Sequence, residues 1–599
     1  MTNDRNLTAA ETSPNLPPER AATLRSGVKR TWAAWDIWAR QIFLLREDQF
    51  FLLLAVLIGI FSGLAVVCFR VAIEWTKLET LGSSLTPSPL RALIVPVAGG
   101  LIVALLMLRV FPKAQGSGVN RTKEALYIAN GYVPFQTVIG KFLTCAIAIG
   151  TGQSLGPEDP SLQMGAGIAS KIGRSLNLSQ EKVRLIAPVG AAAGLAAAFN
   201  APISAVLFVI EEVIGTWSGG VLGAIVLAAV SSVVTMRSFL GAESLFRVPE
   251  FRVVRPVELL AYAALGVVGG VAALGFLKWI AYARPRIEKW PMWTRYLQPA
   301  VAGLLIGIIG IWLPQVMGAG YTQIDQAMHG QFPWDLLLIL AALKILTTGF
   351  SFLSGTPGGM FAPTLFIGAM LGGAFGMIEQ HFFHGLAGTV GTFALVGMGT
   401  FFAGFLRTPI TSVFMVIEVS GNYTAILPVM ISTMVAYLIS RHYQKVPLFD
   451  MLARQDGLYL PSVEEQREQV ALLVEKAMRP ADGAIVVAEK DAIADVVRRA
   501  EAKPDVPVML RQPGGRWHLV DREDLKRLSE DPAGPGTVGD AKQKGPLPIL
   551  FPDQSLEEAL QTMGDWPLLP VVSRADVGKL QGIVTLSDIL RGFRRTPAE

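Results

Sequence analysis

The chain has 599 residues, 51% of them hydrophobic and 17% charged, with a net charge of +5. That apolar share and the positive mean hydropathy exclude a single soluble domain and require membrane-spanning segments. The small positive charge makes no case for nucleic acid and suits loops facing anionic lipid.

Residues 1–31 are polar, include the Pro17-Pro18 pair and lack an apolar signal core. They are predicted to be a disordered cytoplasmic tail. From about residue 32 to 455 apolar runs dominate, at 50–67, 92–106, 259–277, 300–313 and 426–439. Some approach the roughly 20 residues a spanning helix needs. Others are shorter and broken by Gly and Pro, as helices that line a protein cavity are. Cys68 and Cys145 both lie in apolar runs and imply no disulfide. Arg20, Arg25, Lys29, Arg30 and Arg40 precede the first span, and Arg441, Lys445 and Arg454 flank the last. This predicts both termini in the cytoplasm and an even number of crossings.

One pattern occurs twice. Gly156-Pro157-Glu158-Asp159-Pro160, followed by Gly165-Ala166, returns as Gly359-Met360-Phe361-Ala362-Pro363, followed by Gly368-Ala369. Ala201-Pro202-Ile203-Ser204, running on to Glu211, returns as Thr408-Pro409-Ile410-Thr411, running on to Glu418. Paired breaks in corresponding halves of a membrane protein point to a substrate site at the repeat interface. The halves span about 50–240 and 255–440.

A third break, Gly116-Ser117-Gly118-Val119-Asn120, comes before both. Each break can start a helix, and a helix N-terminus holds an anion through unsatisfied N–H groups without a full cation. Three such ends at mid-membrane would bind a small anion weakly enough to release it. A single break would be only a site of close helix packing. Glu158 adds a carboxylate, which costs about 2.5–3.5 kcal/mol in hydrocarbon and so marks a functional position.

These residues resemble the CLC family of chloride channels and proton-coupled chloride exchangers over about residues 32–452. Gly116–Val119 is similar to the family's GSGIP, 156–160 to GREGP, and 359–363 to GxFxP; Phe199-Asn200-Ala201-Pro202 leads to the acidic pair Glu211-Glu212. The resemblance implies a mainly α polytopic membrane protein of two inverted-topology repeats with broken and tilted helices. It implies a homodimer with one pathway per subunit, moving chloride and protons across the cell membrane. Ser117 and Gly118, with the N–H groups of Met360 and Phe361, would bind the anion. Glu158 would be the gate, swinging away on protonation, and Glu212 the internal proton relay. Glu211, repeated as Glu418, is read as a structural carboxylate at a helix end.

Four positions depart from the family. Pro157 replaces Arg, which keeps a helix start, and Asn120 replaces Pro with the same effect. Asp159 replaces Gly and adds a second carboxylate that can repel anions, alter the titration of Glu158, or cap the helix. Phe449 stands where the family has an anion-coordinating tyrosine and has no hydroxyl to offer. Its loss removes about 1.5–3 kcal/mol from binding a charged group, so weaker anion binding and looser coupling are expected.

After a linker at 456–472 the chain turns polar. Residues 473–530 and 538–595 each alternate short apolar strands with amphipathic helices, which predicts a cytoplasmic α/β module. They resemble a tandem pair of CBS domains. The pattern that can hold an adenosine ribose is complete only in the second, at Thr585 and Asp588; the first has Asp521 in place of Thr. One adenine nucleotide site or a ligand-free dimerising module are the alternatives, and no other cofactor and no metal are expected.

A passive chloride channel of the same fold is the alternative to an antiporter. A sensor with a mere membrane anchor would not need anion-lining breaks. No metal spacing or Ser/His nucleophile arrangement suggests an enzyme.

Overall fold

A computed structural model of the chain describes residues 47–82, 87–176, 178, 180–215, 219–242, 246, 256–382, 388–461, 472–530, 536–541 and 543–594. It divides into two units after Pro461. The tail at 1–31 and most of the linker at 456–472 lie outside the described residues.

The first unit is helical. Its first half contains α1 (Glu47–Thr80), α2 (Pro89–Leu105), α3 (Gly118–Tyr127), α4 (Phe135–Gly150), α5 (Glu158–Arg174), α6 (Gln180–Phe199), α7 (Pro202–Phe208) and α8 (Gly219–Leu240). The second contains α9 (Glu258–Glu288), α10 (Gln298–Trp312), α11 (Tyr321–Met328), α12 (Trp334–Leu353), α13 (Phe361–Phe382), α14 (Val390–Leu406), α15 (Pro409–Ser420), α16 (Ile426–Tyr443) and α17 (Leu448–Gln455). Pro stands in the first turn of α2, α7, α10 and α15, where its missing N–H has no acceptor to lose. Among the described residues eight helices are long and apolar enough to cross a membrane, while α4, α10, α14 and α15 are shorter. That mixture is what the interrupted apolar runs predict.

The duplicated sequence becomes duplicated packing. Gly165 faces the Gly190 carbonyl and Gly368 faces the Gly397 carbonyl, each too close to admit a Cβ. The α5–α6 and α13–α14 pairs therefore share one small-residue seam. The halves also cap one another. Glu418 accepts from the N–H groups of Ile203 and Ser204 at the start of α7, at 2.9 and 2.7 Å. Glu211 accepts from the N–H groups of Ile410 and Thr411 at the start of α15, at 3.4 and 3.0 Å. Each carboxylate thus supplies the acceptor that the other half's helix end lacks. The repeated acid is structural, as its recurrence in both halves suggests.

The second unit contains α18 (Val474–Ala477), β1 (Arg479–Pro480), β2 (Ile485–Ala488), α19 (Ile493–Glu501), β3 (Val508–Gln512), β4 (Arg516–Val520), α20 (Arg522–Glu530), β5 (Gln543–Lys544), α21 (Leu556–Met563), β6 (Leu568–Val572), β7 (Leu580–Thr585) and α22 (Leu586–Arg594). Its two sheets run β2-β3-β4-β5 and β1-β7-β6. The sequence places 473–480 in the first repeat. In the structure that segment joins the second: β1 pairs antiparallel with β7, and Val474 enters the core around Leu550, Leu556 and Ile589. In return β5 extends the first sheet beside Leu519 and Val520. Each repeat covers an open sheet edge of the other, which local strand patterns do not reveal.

Glu418→Ala leaves two helix N–H groups without a partner and is expected to cost about 1–3 kcal/mol. The measurement is the melting temperature in detergent. Glu211→Ala is expected to fall by a similar amount; a large asymmetry would contradict equivalent capping.

Candidate ion pathway

The two halves meet backbone to backbone. The Gly156 N–H donates to the Gly359 carbonyl at 2.7 Å, and the Gly359 N–H donates to the Gly156 carbonyl at 2.8 Å. This exchange sets the N-terminus of α5 beside that of α13, so two positive dipole ends share one point. Met360 precedes α13 and Phe361 opens it; both are buried, and their N–H groups lie ahead of any intrahelical acceptor.

Glu158 opens α5 and is fully buried. Its Oε1 accepts from the Tyr321 hydroxyl, and its Oε2 has no hydrogen-bond partner among the described residues. The carboxylate folds back over Gly156. A Cβ on Gly156 would collide with Oε2 and would lie 3.1 Å from the Ala362 nitrogen. Glycine at 156 is thus the condition for Glu158 to lie across the paired helix ends.

Asp159 points to a different partner. Its Oδ2 accepts from the Gly118 N–H at 2.7 Å, and its Oδ1 from the Val119 N–H at 3.0 Å and the Ser117 hydroxyl at 3.1 Å. Among the roles left open by the sequence, the structure gives Asp159 a cap, on α3 and not on its own helix. Ser117 and Gly118, expected to face a mobile anion, face this carboxylate instead.

Glu212 lies in a wide helical turn, Val209–Ile214, that ends α7. Its Oε1 accepts from Lys123 Nζ at 2.6 Å, and Lys123 also reaches Asp450 Oδ1 at 3.2 Å. All three are buried, and with every group ionised they carry a net charge of −1, which one added proton neutralises. Phe449, beside Asp450, offers its carbonyl to the Asn120 amide at 2.9 Å. Its ring joins Phe208 and Phe361, with centroids 6.4 Å from each. An apolar ring cluster therefore stands where the family resemblance places a hydroxyl.

Two buried lysines tie the loops that frame the breaks. Lys141 on α4 donates to the Gly116 carbonyl at 2.7 Å, and Lys344 on α12 donates to the Gly318 carbonyl at 2.7 Å. These contacts are repeat mates. One cavity reaches Gly116 and Ser117 at the C-terminal end of α2 and the N-terminal end of α10. Another reaches Pro157 and Tyr321, with Arg70 on its wall, at the opposite ends of the same two helices. The site thus lies between cavities on opposite faces.

Residues 99–441 match the voltage gated chloride channel family. This chain belongs to the CLC family. A putative chloride channel protein, ClcB-like, of Ralstonia nicotianae is 31% identical over 68% of this chain and 99% of that protein. The H(+)/Cl(-) exchange transporter ClcA of Vibrio cholerae is 32% identical over 67% of this chain and 88% of its own length. Among solved structures, a slow cyanobacterial Cl-/H+ antiporter aligns with a TM-score of 0.63 at 24% identity, over 71% of this chain and 99% of that one. A eukaryotic CLC transporter aligns at 0.60 and 20% identity, over 92% of this chain and 98% of that one. The fold is the CLC fold, as the family resemblance implies, followed by a CBS domain matched at residues 538–595.

In the CBS domain, Thr585 closes β7 and donates its hydroxyl to Asp588 Oδ2 at 2.6 Å. Arg479 pairs with the same carboxylate at 2.9 Å. Burial opposes the charge on Asp588, but the Thr585 bonds and Arg479 outweigh it and hold its carboxyl below the usual aspartate range.

The CLC unit also contains residues that sequence reasoning missed: Tyr321, Lys123, Asp450, Lys141 and Lys344. The repeat could have revealed the two loop lysines, since Lys141 and Lys344 occupy matching places before the breaks. Nothing local links Tyr321 to Glu158, 163 residues apart.

Proposed function

We propose that this CLC protein exchanges chloride for protons across the cell membrane, with Glu158 as gate and Glu212 as internal proton relay. The observation that carries the reading is a fully buried carboxylate laid across two converging helix N-termini, with one oxygen that no side chain pairs among the described residues. A carboxylate there occupies the position a small anion would take, and protonation removes its attraction to the helix ends. The Lys123–Glu212–Asp450 cluster supports the second role. It lies on a separate element, it is buried, and one proton balances its charge.

The exchange relative ClcA of Vibrio cholerae is 32% identical over 67% of this chain, and the reading extends its named activity to this chain. It also takes the functional unit to be a homodimer embedded in membrane lipid. Basic residues around the last span support cytoplasmic termini. An adenine nucleotide at Thr585 and Asp588 would share the Asp588 carboxylate with Arg479.

A passive chloride channel of the same fold is the second reading. It is favoured by Phe449, whose ring cannot donate a hydrogen bond to an anion.

Glu158→Gln mimics the protonated gate. In liposomes it is expected to pass chloride while proton movement falls to background; undiminished proton transport would contradict the gate assignment. Tyr321→Phe removes only the hydroxyl that holds Glu158. A bond to a charged group is worth about 1.5–3 kcal/mol, so chloride turnover is expected to rise severalfold with coupling retained. An unchanged or lower rate would clear Tyr321 of a latching role.

A further inference from the structure

We propose that Asp159 is a second tethered anion in this pathway, closing the α3 side as Glu158 closes the α11 side. The inference rests on the anion-transport reading above. Its basis is the completeness with which one carboxylate takes the donors of α3. The Gly118 and Val119 N–H groups and the Ser117 hydroxyl all end on Asp159, at 2.7, 3.0 and 3.1 Å. Asp159 is 3% exposed. Among the described residues no ammonium or guanidinium pairs with it. Its charge is met by helix-end N–H groups and a hydroxyl, the environment a monovalent anion would find.

Two further observations favour a site over a simple cap. Gln163, one turn along α5, packs its Cβ toward Gly118 and is 1% exposed, yet among the described residues both ends of its amide lack a partner. The residue that packs on the start of α3 thus carries a buried amide whose polar atoms are unmet among the described residues. The second observation is a contrast within the repeat. The start of α11 is preceded by the Gly318 turn that matches Gly116, but among the described residues no carboxylate accepts from its first N–H groups; its first residue, Tyr321, reaches Glu158. Successive acids on α5 are thus held by the corresponding elements of the two halves, which open to cavities on opposite faces.

A tethered ligand competes at a high effective concentration. Chloride must displace Asp159 to use Ser117, so affinity at that position is set by Asp159 as much as by the donors. The two acids are adjacent on α5 but bind different helices, so opening one side does not oblige the other to open.

The test is chloride binding by calorimetry, with flux in liposomes, on the full chain and on Asp159→Gly, Asp159→Asn, Ser117→Ala and the Asp159→Gly/Ser117→Ala double variant. Chloride affinity is expected to rise about tenfold in Asp159→Gly and severalfold in Asp159→Asn, which keeps the side chain's shape and loses its charge. The Ser117→Ala penalty is expected to be at least fivefold larger in the Asp159→Gly background than in the native one. A purely structural cap would give unchanged or weaker binding in both Asp159 variants. That result, or equal Ser117→Ala penalties in the two backgrounds, overturns the proposal while native chloride flux leaves the transport reading standing. Native protein that neither binds nor moves chloride overturns both.

Discussion

The pair of hydrogen bonds between Gly156 and Gly359 is the contact on which the rest depends. Helices that stop at mid-membrane leave N–H groups that hydrocarbon cannot satisfy. Here two helix ends meet where the halves join, each glycine supplying one acceptor to the other. The exchange consumes only the glycine amides. The first-turn N–H groups of α5 and α13 have no intrahelical acceptor, and a negative charge is their natural partner. Glu158 can supply that charge because Gly156 carries no side chain.

The remaining buried charges follow from the same shortage of partners. A bare carboxylate or ammonium at this depth is costly, and each one here is engaged by polar groups. Lys141 and Lys344 end on loop carbonyls, fixing the turns before α3 and α11. Glu211 and Glu418 end on the opposite half's helices. Lys123 lies between two carboxylates. Among these charges, Glu158 keeps one oxygen with no hydrogen-bond partner among the described residues, and the Lys123 cluster balances with one more proton. Those are the groups suited to carry ions.

Much of this was legible because the chain states it twice. Gly/Pro breaks have a local signature, and their recurrence pointed to the repeat and its interface; Glu158, which has no counterpart in the second copy, stood out as a carboxylate in an apolar run and by the family resemblance. Recurrence marked Glu211 and Glu418 as structural carboxylates at helix ends, but that each caps the opposite half's helix appeared only in the structure. What stayed hidden are contacts between elements distant in sequence and unlike in kind. Tyr321 meets Glu158, and Asp159 caps α3, because tertiary packing brings them together; neither has a period or spacing to betray it. Asp159 was recognisable as an oddity but its partner was not. In the CBS unit the strands were readable from alternation, while the exchange of β1 and β5 between sheets was not, since edge pairing depends on which edge is open.

The account stands or falls on whether anion and proton movements are linked through one site. The most direct measurement uses the purified native protein in liposomes, with an imposed chloride gradient, the membrane potential clamped, and chloride and external pH recorded together. The account expects protons to move uphill, driven by chloride. Chloride flux with no accompanying proton movement would contradict it and leave an uncoupled conductor of the same fold.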